Sequence, residues 1–140
     1  MNFTIKDVEN QVRLKILDTY EDNYRFAPTE IFNAIRDGLR LILSKRPESR
    51  YVNCLLTDKM LLVNNEEADF IIPESFPATI GETTYTLEQY RGFTINMEER
   101  WMEAVVNYTI HQMYLKDDTD TANANLAQTY YAKFTESINS

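Results

Sequence analysis

Apolar residues return along this chain at one rhythm near both ends and lose that rhythm in the middle. From Ile5 to Leu17, the residues Ile5, Val8, Val12 and Ile16 recur every three or four positions, the spacing of one helix face. Thr4 stands where an N-cap belongs, and Asp7 three residues on completes a capping box. The polar, aromatic-studded stretch Asp18-Thr19-Tyr20-Glu21-Asp22-Asn23-Tyr24 then breaks the pattern. A second helix is predicted from Thr29 to near Lys45, with Ile31, Ile35, Leu39 and Ile42 in one stripe widened by Phe32 and Leu43. Arg36, Asp37, Arg40 and Lys45 take its other side. Lys45, Arg46 and then Pro47 stop it, because cations suit the negative helix end and proline cannot continue the ladder. Gly38 costs about 1 kcal/mol of helix propensity, a sacrifice that marks a close approach by another helix.

From Glu48 to Asn96 the periodicity fails. Tyr51-Val52-Asn53-Cys54-Leu55-Leu56 and Met60-Leu61-Leu62-Val63 are apolar runs too short to assign. Asn64-Asn65 reads as a turn, Phe70-Ile71-Ile72 before Pro73 as a brief edge strand, and Thr83-Thr84-Tyr85-Thr86-Leu87 is β-branched and aromatic. The helical rhythm resumes after Glu98-Glu99, whose charges favour a helix start. Met102, Val105, Val106, Thr109 and Met113 form the stripe of a third helix, flanked by Trp101 and Tyr108. Lys116-Asp117-Asp118-Thr119-Asp120 links it to a fourth, which from about Thr121 carries Ala122, Leu126, Ala127, Tyr130, Phe134 and Ile138 on one face. So short a link makes the two antiparallel neighbours. The expected fold is mainly α: one domain over residues 1–140, a four-helix bundle-like frame with an irregular insert at about 48–96 that contains a small β element.

Composition narrows the function. Net charge is −8, and a protein gripping nucleic acid through its phosphates needs a basic face, which this sequence lacks. Acidity is most simply a matter of solubility, though it also suits a surface past which DNA slides without adhering. No run of eighteen apolar residues suggests a membrane span, and Met1-Asn2-Phe3-Thr4-Ile5-Lys6-Asp7 has no signal-peptide character. The lone Cys54 excludes an internal disulfide and fits a reducing cytosol.

No catalytic, cofactor or metal site is expected, and the sequence does not designate partner-binding residues. His111, the single histidine, lies in a helix with no cysteine or serine constellation nearby and reads as structural or solvent-exposed rather than as a general base. Cys54 sits in an apolar run, as a buried thiol would. Asp117, Asp118 and Asp120 lack the glycine and closing glutamate of a calcium loop, and Glu66-Glu67 and Glu98-Glu99 read as solvated pairs. Neither a P-loop, a dinucleotide fingerprint nor zinc spacing occurs. Nine tyrosines, clustered at Tyr20/Tyr24 and Tyr130/Tyr131, fit either core filling or an interface.

Three features in fixed order resemble the small head-to-tail adaptor (neck or connector) proteins of tailed bacteriophages, the short-tailed type in particular. An initial helix ends at Ile16-Leu17-Asp18 and leads through an aromatic loop to Thr29-Glu30-Ile31-Phe32-Asn33-Ala34-Ile35. The second helix stops at Lys45-Arg46-Pro47-Glu48. Glu99 through Tyr114, Lys116-Asp117-Asp118, Asn123, Ala127, Tyr130 and Phe134 look like the family's closing helix pair. The resemblance implies a virion protein, made in the host bacterial cytoplasm, that assembles as a ring, typically dodecameric, beneath the portal. Such a ring extends the DNA channel, meets the tail or a further neck protein, and makes or breaks no bond. The rival reading, from another class, is a small acidic phage-encoded inhibitor or regulator whose surface mimics DNA toward a basic host protein.

Overall fold

In this computed structural model the chain is described at residues 3–18, 25–52, 55–56, 61–63, 66–68, 77–80, 83–92, 94–95, 97–116 and 121–139. It is mainly helical, a bundle of packed helices with small strand elements. Four long helices form the frame: α1 (Ile5–Lys15), α2 (Pro28–Lys45), α4 (Arg100–Lys116) and α5 (Thr121–Asn139). A fifth, α3 (Leu87–Arg91), is a short helix inside the insert.

The helix ends follow from local chemistry. Thr4 Oγ1 accepts from Asp7 N and Asp7 Oδ2 accepts from Thr4 N, both at 3.0 Å, the reciprocal box that the spacing predicts. At the other end α1 stops two residues before the expected Leu17. Leu17 N–H reaches the Leu14 carbonyl and Asp18 N–H the Arg13 carbonyl, a Schellman closure. Helix α2 begins one residue early at Pro28, whose fixed φ suits a first turn, while its N-cap Ala27 makes no side-chain bond. It ends at Lys45, as expected, with a 3-10 turn over Pro47–Arg50 behind it.

Helix α4 is the centre, packing against α5, α2 and α1. It is covered on more than one side, so its buried set is broader than the predicted stripe and includes Trp101, Ala104, Asn107 and Ile110. Ile31, Ile35, Leu39 and Ile42 of α2 and Ile5, Val8, Val12 and Ile16 of the α1 segment are buried as their spacing requires. Gly38 meets Tyr108 of α4: a Cβ there would lie 3.1 Å from Tyr108 Cδ2, which explains the glycine. In α5, Ala127, Phe134 and Ile138 are buried, but Leu126, placed on the same face by periodicity, is exposed. Its helix packs through a narrower seam than the stripe implied.

The insert contributes strand pairs. β1 (Phe3–Thr4) pairs antiparallel with β8 (Thr94–Ile95), which pairs with β4 (Leu61–Val63), and β4 with β5 (Glu66–Ala68), giving the sheet order β1-β8-β4-β5. Two further ribbons join β2 (Tyr51–Val52) to β3 (Leu55–Leu56) and β6 (Ala78–Ile80) to β7 (Thr83–Tyr85). Thr83–Tyr85 is thus strand, as its composition suggested, but Leu87 opens helix α3. The predicted turn at Asn64-Asn65 and strand at Phe70-Ile71-Ile72 lie outside the described residues.

Candidate functional site

The end of α1 holds an arrangement that periodicity did not reveal. Glu9 and Arg13 sit on successive turns and are both buried, as is Asp18 beyond the helix. Arg13 Nε donates to Glu9 Oε2 and Nη1 to Asp18 Oδ2, each at 2.9 Å, while Nη2 donates to the Phe26 carbonyl at 3.1 Å. Asp18 in turn accepts the backbone N–H groups of Arg25 (2.8 Å) and Phe26 (3.1 Å). One guanidinium and one carboxylate therefore clamp the chain as it re-enters the bundle ahead of α2. Arg91 completes the set, its Nη2 lying 2.6 Å from Glu9 Oε1.

Arg91 is brought there by α3. Thr86 Oγ1 accepts from Gln89 N (3.3 Å) and Gln89 Oε1 from Thr86 N (2.9 Å), a second capping box. The Thr-x-x-Gln spacing was a sequence signal for this helix start, hidden within a run that otherwise reads as β.

The clamp fixes an unusual corner. Leu17 takes the left-handed conformation, φ 58°, where glycine is the ordinary occupant. Its side chain is 88% exposed, and Leu14 on the preceding turn is 60% exposed. A non-glycine residue in that region costs on the order of 1 kcal/mol, and here the leucine gains no burial in exchange. Such a residue stores backbone strain, and at this corner Leu14 and Leu17 together present apolar surface to solvent.

The other candidates fall elsewhere. His111 bridges α4 to α5, its Nδ1 2.8 Å from the Ala127 carbonyl and its ring near those of Tyr131 (4.8 Å) and Tyr108 (5.8 Å). Tyr108 lies edge-on to Phe134 at 5.1 Å and Tyr114 stacks on Tyr130 at 6.0 Å, so later residues of α4 face earlier ones of α5. The pair is antiparallel, and Tyr130 is a packing residue; Tyr131 stays partly exposed. Burial raises the Tyr108 hydroxyl above its ordinary pKa, the Asp37 charge adds to this, and the bond donated by Gln112 opposes it. Burial likewise raises Tyr114, with Tyr130 adding and Arg25 opposing.

Glu98 caps the approach to α4 through its carbonyl, which accepts from Trp101 N at 3.0 Å, and Glu99 is exposed. Glu66 and Glu67 lie in β5. Cys54, Tyr20, Tyr24, Asp117, Asp118 and Asp120 lie outside the described residues. Among the described residues no group of three His, Cys, Asp or Glu is placed to hold a metal, and no helix is long and apolar enough to cross a membrane. No family model, curated protein or solved structure matches this chain.

Proposed function

We propose that this chain is a structural head-to-tail adaptor, assembling as a ring beneath a phage portal and carrying the DNA channel toward the tail. The observation that carries the reading is the order of its parts. An initial helix closed off by Ile16-Leu17-Asp18, a helix stopped by Lys45-Arg46-Pro47, and a tyrosine-rich closing pair follow one another in an order that resembles the adaptor family. The exposed Leu17 supports it as apolar surface open to a protein contact, and a net charge of −8 suits a wall that DNA must pass without adhering. On this reading the protein acts by assembly, with the homo-oligomer, the portal and a tail or further neck protein as its partners.

Mass measurement by light scattering, with electron microscopy of portal-bearing, DNA-filled heads, tests it. Stoichiometric ring density below the portal is the expected result. A monomer with no affinity for heads overturns it, and a discrete complex with a basic host protein replaces it with the inhibitor reading.

A further inference from the structure

Helix α3 belongs to the insert and packs on α1, and Arg91 is its point of attachment. The carboxylate oxygens of the clamp are held unequally. Glu9 Oε2 and Asp18 Oδ2 accept from Arg13, and Asp18 Oδ1 accepts from the Arg25 N–H, all within the α1–α2 part of the chain. Glu9 Oε1 is held instead by Arg91, which arrives from the insert at 2.6 Å. The Arg91 fork is itself incompletely used. Its Nη1 donates to Glu88 Oε2 at 2.6 Å, while the buried Nε–H has no hydrogen-bond partner. Glu88 stands on α3 and its side chain is 75% exposed, so that pair travels with α3 and ties it to nothing else.

Little else fastens α3. Five residues are too few for a helix to persist alone in water, so its order depends on what it packs against. Leu87 at its start is partly buried against the core, and Tyr85 just before it is buried in β7. Beyond Leu87, the Arg91–Glu9 contact is the one charged link from α3 to the frame among the described residues. Docking therefore has opposing terms. An ion pair to a buried carboxylate favours the closed position, and a guanidinium N–H withdrawn from water without a partner opposes it. Release returns that N–H to water. Arg13 keeps its hold on Glu9 Oε2 and on Asp18 in either position, and water reaches Glu9 Oε1 as α3 departs.

We propose that α3 is a strap with two positions, docked and helical on α1 or released and melted while the four-helix frame stays folded, with Arg91 as its bolt. Local openings of this kind draw on the segments with the fewest buried contacts and do not require global unfolding. Order in the insert and the seating of α1 are then coupled through one carboxylate, since Glu9 meets the insert with Oε1 and Arg13 with Oε2. The device is independent of ring formation, because every group in it belongs to one chain.

Amide hydrogen exchange followed by NMR on the full chain, over a series of sub-denaturing urea concentrations, tests it. The Gln89 N–H is capped by Thr86 Oγ1 and the Gly92 N–H bonds to the Gln89 carbonyl at 3.2 Å, so both report on α3. Their exchange should depend hardly at all on urea, because a local opening exposes little surface, whereas the Ile110 amide of α4 should show the steep dependence of global unfolding. Arg91→Gln should speed exchange at Gln89 and Gly92 by at least about tenfold, the worth of one charged hydrogen bond. Glu88→Gln removes a pair that moves with the strap and should change it by no more than about twofold. A urea dependence at Gln89 and Gly92 as steep as that at Ile110 would mean that α3 leaves only when the whole molecule unfolds, and overturns the strap. Equal acceleration by the two substitutions overturns the assignment of Arg91 as its bolt.

Discussion

Helices α2 and α4 share an apolar buried core, with a Lys116–Glu30 ion pair of 3.8 Å only at its exposed margin, whereas the end of α1 is closed by buried groups that must hydrogen-bond. Ile35, Leu39 and Ile110 are fully buried in the first region, and their attraction is non-directional, so size and shape are what the packing demands. In the second, Glu9, Arg13, Asp18 and Arg91 exchange bonds of 2.6 to 2.9 Å. Each charge there is tolerable only while its partner is present. The apolar seam can be altered in steps, while the clamp works as a unit or leaves buried charge stranded.

That contrast is open to attack at its strongest point first. Arg13→Ala should cost about 3–5 kcal/mol in chemical denaturation, because it removes the guanidinium that two buried carboxylates share and leaves Glu9 with Arg91 alone and Asp18 with backbone N–H donors alone. Arg13→Lys should recover little of this, since an ammonium cannot span Glu9, Asp18 and the Phe26 carbonyl as the guanidinium does. A loss below 1 kcal/mol would mean that the clamp is no more than a surface ion pair. On the apolar side, Gly38→Val should cost about 2 kcal/mol by driving side-chain carbon into Tyr108. The milder Ile110→Val should cost about 1 kcal/mol, and an equal loss from this change and from Arg13→Ala would erase the distinction.

Two smaller effects sharpen it. Leu17→Gly should raise stability by up to about 1 kcal/mol through release of the left-handed strain. If Leu17 anchors a neighbour, the same variant should assemble less well although it folds better. The hydroxyls of Tyr108 and Tyr114 have folded-state pKa values raised above the ordinary 10.0. Their contribution is therefore present in full below pH 10 and falls as pH climbs past it, because the unfolded chain loses those protons first. Thermal melts between pH 8 and pH 11 should show a flat region followed by a decline, and Tyr114→Phe should reduce the decline.

The same division governs what could be read from the sequence. α1, α2, α4 and α5 were legible because Ile5 to Ile16, Ile31 to Ile42 and Val105 to Met113 repeat at helical spacing, and because Thr4, Asp7, Lys45 and Pro47 mark ends by local chemistry. Glu9 and Arg13 carry the residue types of a solvated helix face, and only the arrival of Asp18 and Arg91 from distant positions makes them interior. Asn107 was passed over for the same reason, as one polar position beside Val106 on a helix that turned out to be covered on several sides. In the insert, the paired segments are two or three residues long, shorter than any window in which a period can be counted.

The pairing of Phe3 with Ile95 also bears on how the chain reaches this state. α4 and α5 are adjacent in sequence and can associate early, since little chain entropy is lost in closing so short a connection. The β1–β8 ladder must instead bring together strands separated by about 90 residues, a closure whose entropic toll grows with the logarithm of loop length. Helix α1 follows that strand directly, so its final seating is tied to a late, non-local event. Refolding should therefore be paced at the amino-terminal end of the molecule, and a nascent chain should hold its closing helix pair before its first helix is locked in place.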